Sequence, residues 1–540
     1  MDPQAAQTNT PQPTKSRGLL VPLLIILVIA AAGVVGYFAY KSLQPKTPQE
    51  KIVTGLSRDS ITIGIAREAF QVFPNSQSET SSAAFDSQIF DGLGKIINGK
   101  IEPDLATSWT NPDKNTWRFH LRKGVKFSNG NPFTASDIKF SIDTAIKENW
   151  PDAFNLSTVE SATVIDDFTV DIKTASPDPV LFNRLAYIAI VSSKQFENIG
   201  SATAVGTGPY KFVKGDDKEV VLEANPDYFL GSPKVKKVVY KFFPDGTDAD
   251  LLQSLHKGEI DLAWQVSDPT LAHSVEKEFQ VKVLPDPFIT LLWLDTTREK
   301  SPYVDKSPNP LKNKLVREAI YTAIDPNKVI KAASRSGEPA SQLVTNSIFG
   351  FNPAIKRPQL NIEKAKDLLK QAGVPDGFNM TLDIYQRIEQ EGKALAEALA
   401  KINIKVTVNV LSDDDFFPKI LDKQEYPNFI VDYGAETFDA GEIFTDVLHT
   451  PTGNFGGNNL TNYSNLEVDK LADEIAITLD QTARKKILQS AMVTAMNDLP
   501  LIPLYARDTF YIFRNDYDWT PTAFGNIYPN EISGRQVVKE

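Results

Sequence analysis

The side chains able to do covalent or metal chemistry are few in this chain, and their spacing does not bring them together. There is no cysteine, so a thiolate nucleophile is excluded. The four histidines, His120, His256, His273 and His449, are scattered, with no HExxH pair and no spacing that sets two imidazoles on one helix face. No G-x-S-x-G elbow is present to expose a catalytic serine. The run Gly94–Lys100, GKIINGK, fits the opening of a phosphate-binding loop, but the next residue is Ile101, which has no hydroxyl for Mg²⁺. A plain turn between a helix and a strand accounts for it. Asp413, Asp414 and Asp415 stand together just before FFPKIL. They read as a helix N-terminus, where negative charge complements the dipole, and not as an acid–base pair. No catalytic or metal site is expected, no cofactor is implied, and binding is the chemistry that remains.

The elements that must position a binding site alternate between helix and strand. Ile61, Ile63 and Ile65 alternate with polar or small residues as a short strand. Thr134 and Asp137 have capping-box spacing and open a helix to about Glu148. Asp325-Pro326 reads as an N-cap followed by proline in the first turn. Asn361–Ala372 is an amphipathic helix closed by Gly373. Ile402, Ile404, Val406, Val408 and Val410 alternate with polar residues as a half-buried strand. Helices over 464–478 and 480–498 follow, and LIPLYA returns to strand. The body is therefore mixed α and β, too long for a single core, with two or three domains expected. Its apolar fraction of 41% is that of an ordinary globule. Setting aside Asp2, Lys15 and Arg17, the part beyond residue 40 has 55 basic and 67 acidic side chains, a net charge of −12. That balance argues against nucleic acid as a partner.

One stretch stands outside this pattern. Gly18–Tyr40 carries no charge over about 23 residues, enough to cross a hydrocarbon core of roughly 30 Å as one helix. Ala30-Ala31-Ala32 offers a small-residue cleavage site, but the apolar run continues past it through Val34, Val35, Tyr37 and Phe38. The expectation is an uncleaved transmembrane anchor at 18–40, with a cytoplasmic tail at 1–17, a polar tether at 41–56 and the main body on the extracellular or periplasmic side. The lack of cysteine also excludes attachment through a lipidated cysteine.

Longer motifs carry a family likeness. Ile89–Asp143 contains a helix ending in DGL, then I-x-P-x-L-A-x-S-W, F-x-L-R-x-G-V-x-F and P-F-T-A-x-D-x-x-F-S. Val205–Phe229 adds G-T-G-P-Y and N-P-x-Y-F. LQSLHKGEIDLA, LVREAIYTAIDPNKVI, IEKAKDLLKQAGVPDGF and YSNLEVDKLADEIAITLDQTARKKILQSA follow in order. Together these resemble extracellular solute-binding family 5, the oligopeptide- and dipeptide-binding receptors of bacterial ABC importers. The likeness spans about Ser60 to Tyr511. The motifs also make sense as scaffold. Trp109, Trp117, Phe119, Leu121, Val125 and Phe127 suit a hairpin with a buried aromatic face, and Gly206 and Gly208 permit a turn that a side chain would block.

The resemblance implies an α+β, bilobed clamp of the periplasmic-binding-protein kind (class II, cluster C, three regions). The core of the first lobe would take 57–81, 205–295 and 505–540, its inserted region 82–204, and the second lobe 296–504, with hinge strands near 295 and 505. It implies a monomer that captures short peptides and delivers them to ABC permease subunits. A sensor or adhesion module on the same fold, or a receptor for a nickel chelate, haem or oligosaccharide, is the alternative. In peptide-binding members an aspartate in a W-x-x-D-Y-like strand pairs with the peptide ammonium. Asn428–Tyr433, NFIVDY, places Asp432 there beside Tyr433, with an aspartate that ends the strand and caps the following turn as the plainer alternative. The following GAETFDAGEIF departs from the family's short turn and leaves the role of Asp439 open. Thr80 and Ser82 are expected to offer backbone to an extended peptide. Trp264 and Trp293 are candidate pocket walls, with burial in the core as the plainer reading.

Overall fold

Two long antiparallel strands, Gln280–Trp293 and Leu501–Phe513, run through the molecule side by side, paired from Gln280 with Phe513 to Trp293 with Leu501. The computed structural model describes residues 51–54, 59–66, 80–194, 204–244, 246–422, 425–522 and 529–538. The apolar run 18–40 lies outside them. Among the described residues no helix is long and apolar enough to cross a membrane.

The two long strands sit in the middle of an eleven-stranded mixed sheet. On one flank, Phe429–Gly434 pairs with Gln280–Trp293, followed by Phe378–Tyr385 and then Ile404–Leu411 at the edge. On the other, Leu262–Val266 pairs with Leu501–Phe513, followed by Ser60–Ile65, Lys237–Phe242, Glu219–Ala224 and Tyr210–Gly215. The pairing of the long strands shifts between Pro285 and Ile289. Pro285 and Pro287 lack the N–H a ladder needs, so this stretch bends where the chain passes from one half of the sheet to the other.

Apolar packing divides along the same line. Beyond the bend, Leu292, Ile320, Leu369, Leu382 and Ile502 share one core, and Trp293, Phe416, Phe429, Phe444 and Leu488 another on the opposite face. Before it, Ile61, Ile63, Tyr210, Tyr240, Trp264 and Phe513 form a third. A separate four-stranded antiparallel sheet, Ala106–Asp113, Thr116–Leu121, Thr169–Thr174 and Val159–Asp166, packs under helix Ala135–Lys147. Its aromatic face is as expected: Trp117, Phe119, Val125 and Phe127 are buried, and Trp109 meets Phe182 with ring centroids 4.2 Å apart.

Most local expectations agree with the structure. The Asp137 carboxylate accepts the Thr134 N–H at 2.9 Å, closing the capping box. Asp325 caps Asn327, and Ser412 caps the helix that begins at Asp413. Asn361 caps Lys364, and Gly373 ends that helix at φ +81°. Two readings need correction. GKIINGK is not a helix-to-strand turn but a β-hairpin, Gly94–Ile97 with Lys100–Pro103, turned through Asn98 and Gly99 at φ +50° and +77°. Gly206 and Gly208 are required less by turn geometry than by close approach. A Cβ on Gly206 would stand 1.8 Å from the Ile89 carbonyl oxygen.

Candidate functional site

Asp432 faces Thr290 across the ladder, and Thr290 faces Tyr505 on the other long strand. Three strands thus present side chains to one spot just beyond the proline bend. The Thr290 hydroxyl donates to Asp432 Oδ1 at 2.6 Å, and Arg507 Nη1 donates to Asp432 Oδ2 at 2.6 Å. The same guanidinium donates through Nη2 to Asp286 Oδ2 at 2.9 Å and lies over the Phe288 ring, 5.4 Å from its centroid. Asp286 is the residue between the two prolines, so the ion-paired triad joins the bend to the sheet beyond it. About a quarter of the Asp432 and Arg507 side chains is exposed (25% and 23%), which leaves the group reachable.

Burial and neighbouring charges both act on this triad. Burial pushes the Asp286 carboxyl up even though Arg507 pulls it down. Burial also raises Glu391, which feels Arg335 as a counterion and Asp432 as a like charge. Burial works against the Arg507 charge, but Asp432 and Asp286 outweigh it and hold the guanidinium pKa above its ordinary value. Around Tyr385 two carboxylates, Asp432 and Glu391, act together with two guanidiniums, Arg387 and Arg507.

The other residues expected at the site are not gathered there. Trp264 and Trp293 are each 2% exposed and belong to cores; Trp293 stacks on Phe429 at 5.3 Å. They are core aromatics, not walls of an open pocket. Thr80 and Ser82 lie in the first turn of helix Thr80–Ile89, so their backbone is helical and not extended as strand addition requires. Tyr433 points to the face opposite Asp432, as alternation along a strand requires. Its hydroxyl is buried without a hydrogen-bond partner among the described residues, and burial together with Glu442, Asp446 and Glu436 drives its pKa upward. Asp439 is settled as structural: it holds Arg484 in a buried two-point pair at 2.7 and 2.9 Å.

Sequence reasoning missed Arg507, Asp286 and Thr290. A signal existed, since Arg507 is an isolated cation in the apolar strand LIPLYARDTFYIF, which demands a buried partner.

A second surface faces Tyr433. Asn183 Nδ2 donates to the Thr437 carbonyl and Tyr187 Oη to the Glu436 carbonyl, both at 2.7 Å. These bonds draw the 436–437 backbone onto the region that carries the four-stranded sheet. The hairpin tip at Gly99 meets the same half, its α-carbon so close that a Cβ would lie 2.6 Å from the Ser347 carbonyl oxygen.

Comparison with known proteins agrees with this architecture. The profile of bacterial extracellular solute-binding proteins, family 5 (middle region), matches residues 100–455. The chain is 27% identical over 467 residues to heme-binding protein A of Haemophilus influenzae, covering 79% of this chain and 83% of that one. It is 25% identical over 467 residues to the periplasmic oligopeptide-binding protein OppA of Salmonella typhimurium, covering 77% and 81%. The crystal structure of the ABC transporter substrate-binding protein CtaP from Listeria monocytogenes superposes with a TM-score of 0.77 at 22% identity, over 89% of this chain and 100% of that one.

Proposed function

The chain belongs to family 5 of the bacterial extracellular solute-binding proteins, which serve ABC importers as substrate-binding proteins and not as enzymes, and from that premise we propose that it captures short peptides by their free amino terminus at Asp432. The observation that carries this reading is that the Asp432 carboxylate, beside the proline bend, is a quarter exposed and has acceptor positions still open. Asp432 has given one acceptor to Arg507 and one to Thr290, and a carboxylate has about four lone-pair sites, so an ammonium can join the cluster without displacing either. In a partly desolvated site such a contact is stronger than in water.

The lobes are proposed to divide as the family likeness implies, with 57–81, 205–295 and 505–540 as one core, 82–204 inserted into it and 296–504 as the other lobe. Residues 18–40 would hold the protein to the outer face of the membrane, beside the permease that receives the ligand.

The test is titration calorimetry with free and N-acetylated forms of the same peptides. Asp432→Asn is expected to weaken binding of the free peptides about ten- to a hundredfold, for a contact worth about 1.5–3 kcal/mol. Acetylated peptides should bind the wild type poorly and respond little to the substitution. Equal binding of free and acetylated peptides by the wild type would remove Asp432 as the ammonium partner.

A further inference from the structure

The long strands pair on both sides of the proline bend but lose register within it. Gln280–Pro285 pairs with Phe513–Asp508, and Ile289–Trp293 with Ala506–Leu501, with a smaller shift between Thr290 and Leu291. From Pro285 to Ile289 one strand advances four residues, while from Asp508 to Ala506 the other advances two. Asp286, Pro287 and Phe288 therefore form a bulge, and Arg507 is the residue opposite it. The two prolines have no N–H to give, and the Phe288 N–H donates to the Asp286 carboxylate at 3.1 Å. Side chains, and not ladder bonds, set the angle across this gap.

Arg507 is the arm that spans it. Its backbone is clamped from the other edge. Gly337 pairs with it, a Cβ on Gly337 would stand 2.1 Å from the Ala506 carbonyl oxygen, and Ser336 Oγ donates to Asp508 Oδ2 at 2.7 Å. From that base the guanidinium reaches Asp286 in the bulge at 2.9 Å and Asp432, on the strand beyond it, at 2.6 Å, with a different nitrogen for each. A planar guanidinium engaged at two ends holds its partners at one separation, which the single ammonium of a lysine does not. Rotation at the bulge changes that separation and breaks one of the two bonds.

We propose that Asp286 and Arg507 staple a hinge at this bulge, favouring the arrangement in which the two halves meet, so that Asp286, without holding the ligand, sets the affinity for whatever the cleft encloses. The inference rests on the two-lobe reading above and adds its regulation; it does not require the peptide assignment. Asn183 and Tyr187 reach the 436–437 carbonyls at 2.7 Å in this same arrangement, so the staple is made while the halves are in contact. The apparent affinity of a ligand that needs the halves together scales with the fraction of molecules already in that state. Opening the staple therefore weakens every ligand by one common factor, whereas removing a ligand contact weakens only the ligands that make it.

The experiment compares the wild type with Asp286→Asn, Arg507→Lys and the double variant. Titration calorimetry uses one peptide in free and N-acetylated forms, the weaker form by competition, and small-angle scattering is recorded without ligand. Asp286→Asn is expected to bind both forms about three- to tenfold more weakly, with the free-to-acetylated ratio of the wild type, and to have a larger ligand-free radius of gyration. Arg507→Lys should enlarge the radius of gyration as much, and the double variant no further, because either change opens the same staple. Wild-type affinities or a wild-type radius of gyration in Asp286→Asn overturns the staple. So does a loss confined to the free peptide, which would make Asp286 part of the ammonium site. Equal binding of the two forms by the wild type overturns the amino-terminus reading alone, since the common factor is still read. If no peptide binds, or if Asp286→Asn fails to fold, the ligand-free radius of gyration of Arg507→Lys decides.

Discussion

At the scale of residues, the burial of carboxyl groups sets how the fold responds to acid. Glu442 is raised from an ordinary 4.5 to about 7 by burial, while Thr437 donates to it through both its N–H and its hydroxyl, at 3.1 and 2.7 Å. Below about pH 4.5 the group is protonated in the folded and unfolded chains alike, and its contribution to stability is fully present. Between about 4.5 and 7 the folded chain keeps a proton that the unfolded chain has released, so stability falls as pH rises through that window. Glu442→Gln keeps an amide oxygen for Thr437 and removes the titration. The variant is expected to be more stable than the wild type at pH 8, by roughly 1–3 kcal/mol, and to match it near pH 4.5. Urea midpoints at the two pH values check this; parallel curves for the two proteins would refute it.

At the scale of elements, close backbone approaches fix how the pieces dock. The Gly206 α-carbon lies against the end of helix Thr80–Ile89, where an added Cβ would fall 1.8 Å from the Ile89 carbonyl oxygen and 2.6 Å from its carbon. Backbone cannot move aside as a flexible side chain does, so Gly206→Ala is expected to cost more than about 3 kcal/mol in urea unfolding. Gly124 makes the contrast. Its φ of +80° strains any side chain, but nothing lies within 4 Å of its Cβ position, and Gly124→Ala should cost only about 1–2 kcal/mol. Equal losses at the two sites would mean that conformation, not contact, governs both. The long strands carry a different element-scale device. Pro285 and Pro287 interrupt the ladder where Asp286 reaches Arg507, so the bend is pinned by an ion pair as well as by sterics.

For the whole molecule, the proposed two-lobe division makes closure measurable. On that proposal Tyr187 and Asn183 of one lobe meet the 436–437 carbonyls of the other on closing, as do the Gly99 tip and Ser347. Ligand binding is expected to shift the population toward this arrangement, read as a smaller radius of gyration by small-angle scattering. Gly99→Ala places a Cβ against the Ser347 carbonyl and should reduce both the compaction and the affinity, whereas Gly124→Ala, with a similar positive φ and no such contact, should lower the unfolding midpoint while leaving both unchanged. An unchanged radius of gyration at saturating, independently verified ligand would indicate a rigid module. The apolar run 18–40 adds a prediction about place: the protein should stay with the membrane fraction after salt washing. A soluble form beginning near Gly33 would show cleavage instead.

The sequence by itself determined the local and the compositional. Capping at Thr134, Asp325, Asn361 and Ser412 was legible because a cap is a contact between residues a few places apart. The mixed class, the absence of thiol chemistry and the family likeness were legible for the same reason, since each resides in residue types and short motifs. Asp432 could be singled out, but not its partners. Thr290 and Arg507 lie 142 and 75 residues away in the chain and meet it only because three strands are adjacent in one sheet. Burial likewise turned Trp264 and Trp293 into core residues, because an aromatic in a strand faces core or cleft according to what packs on that side.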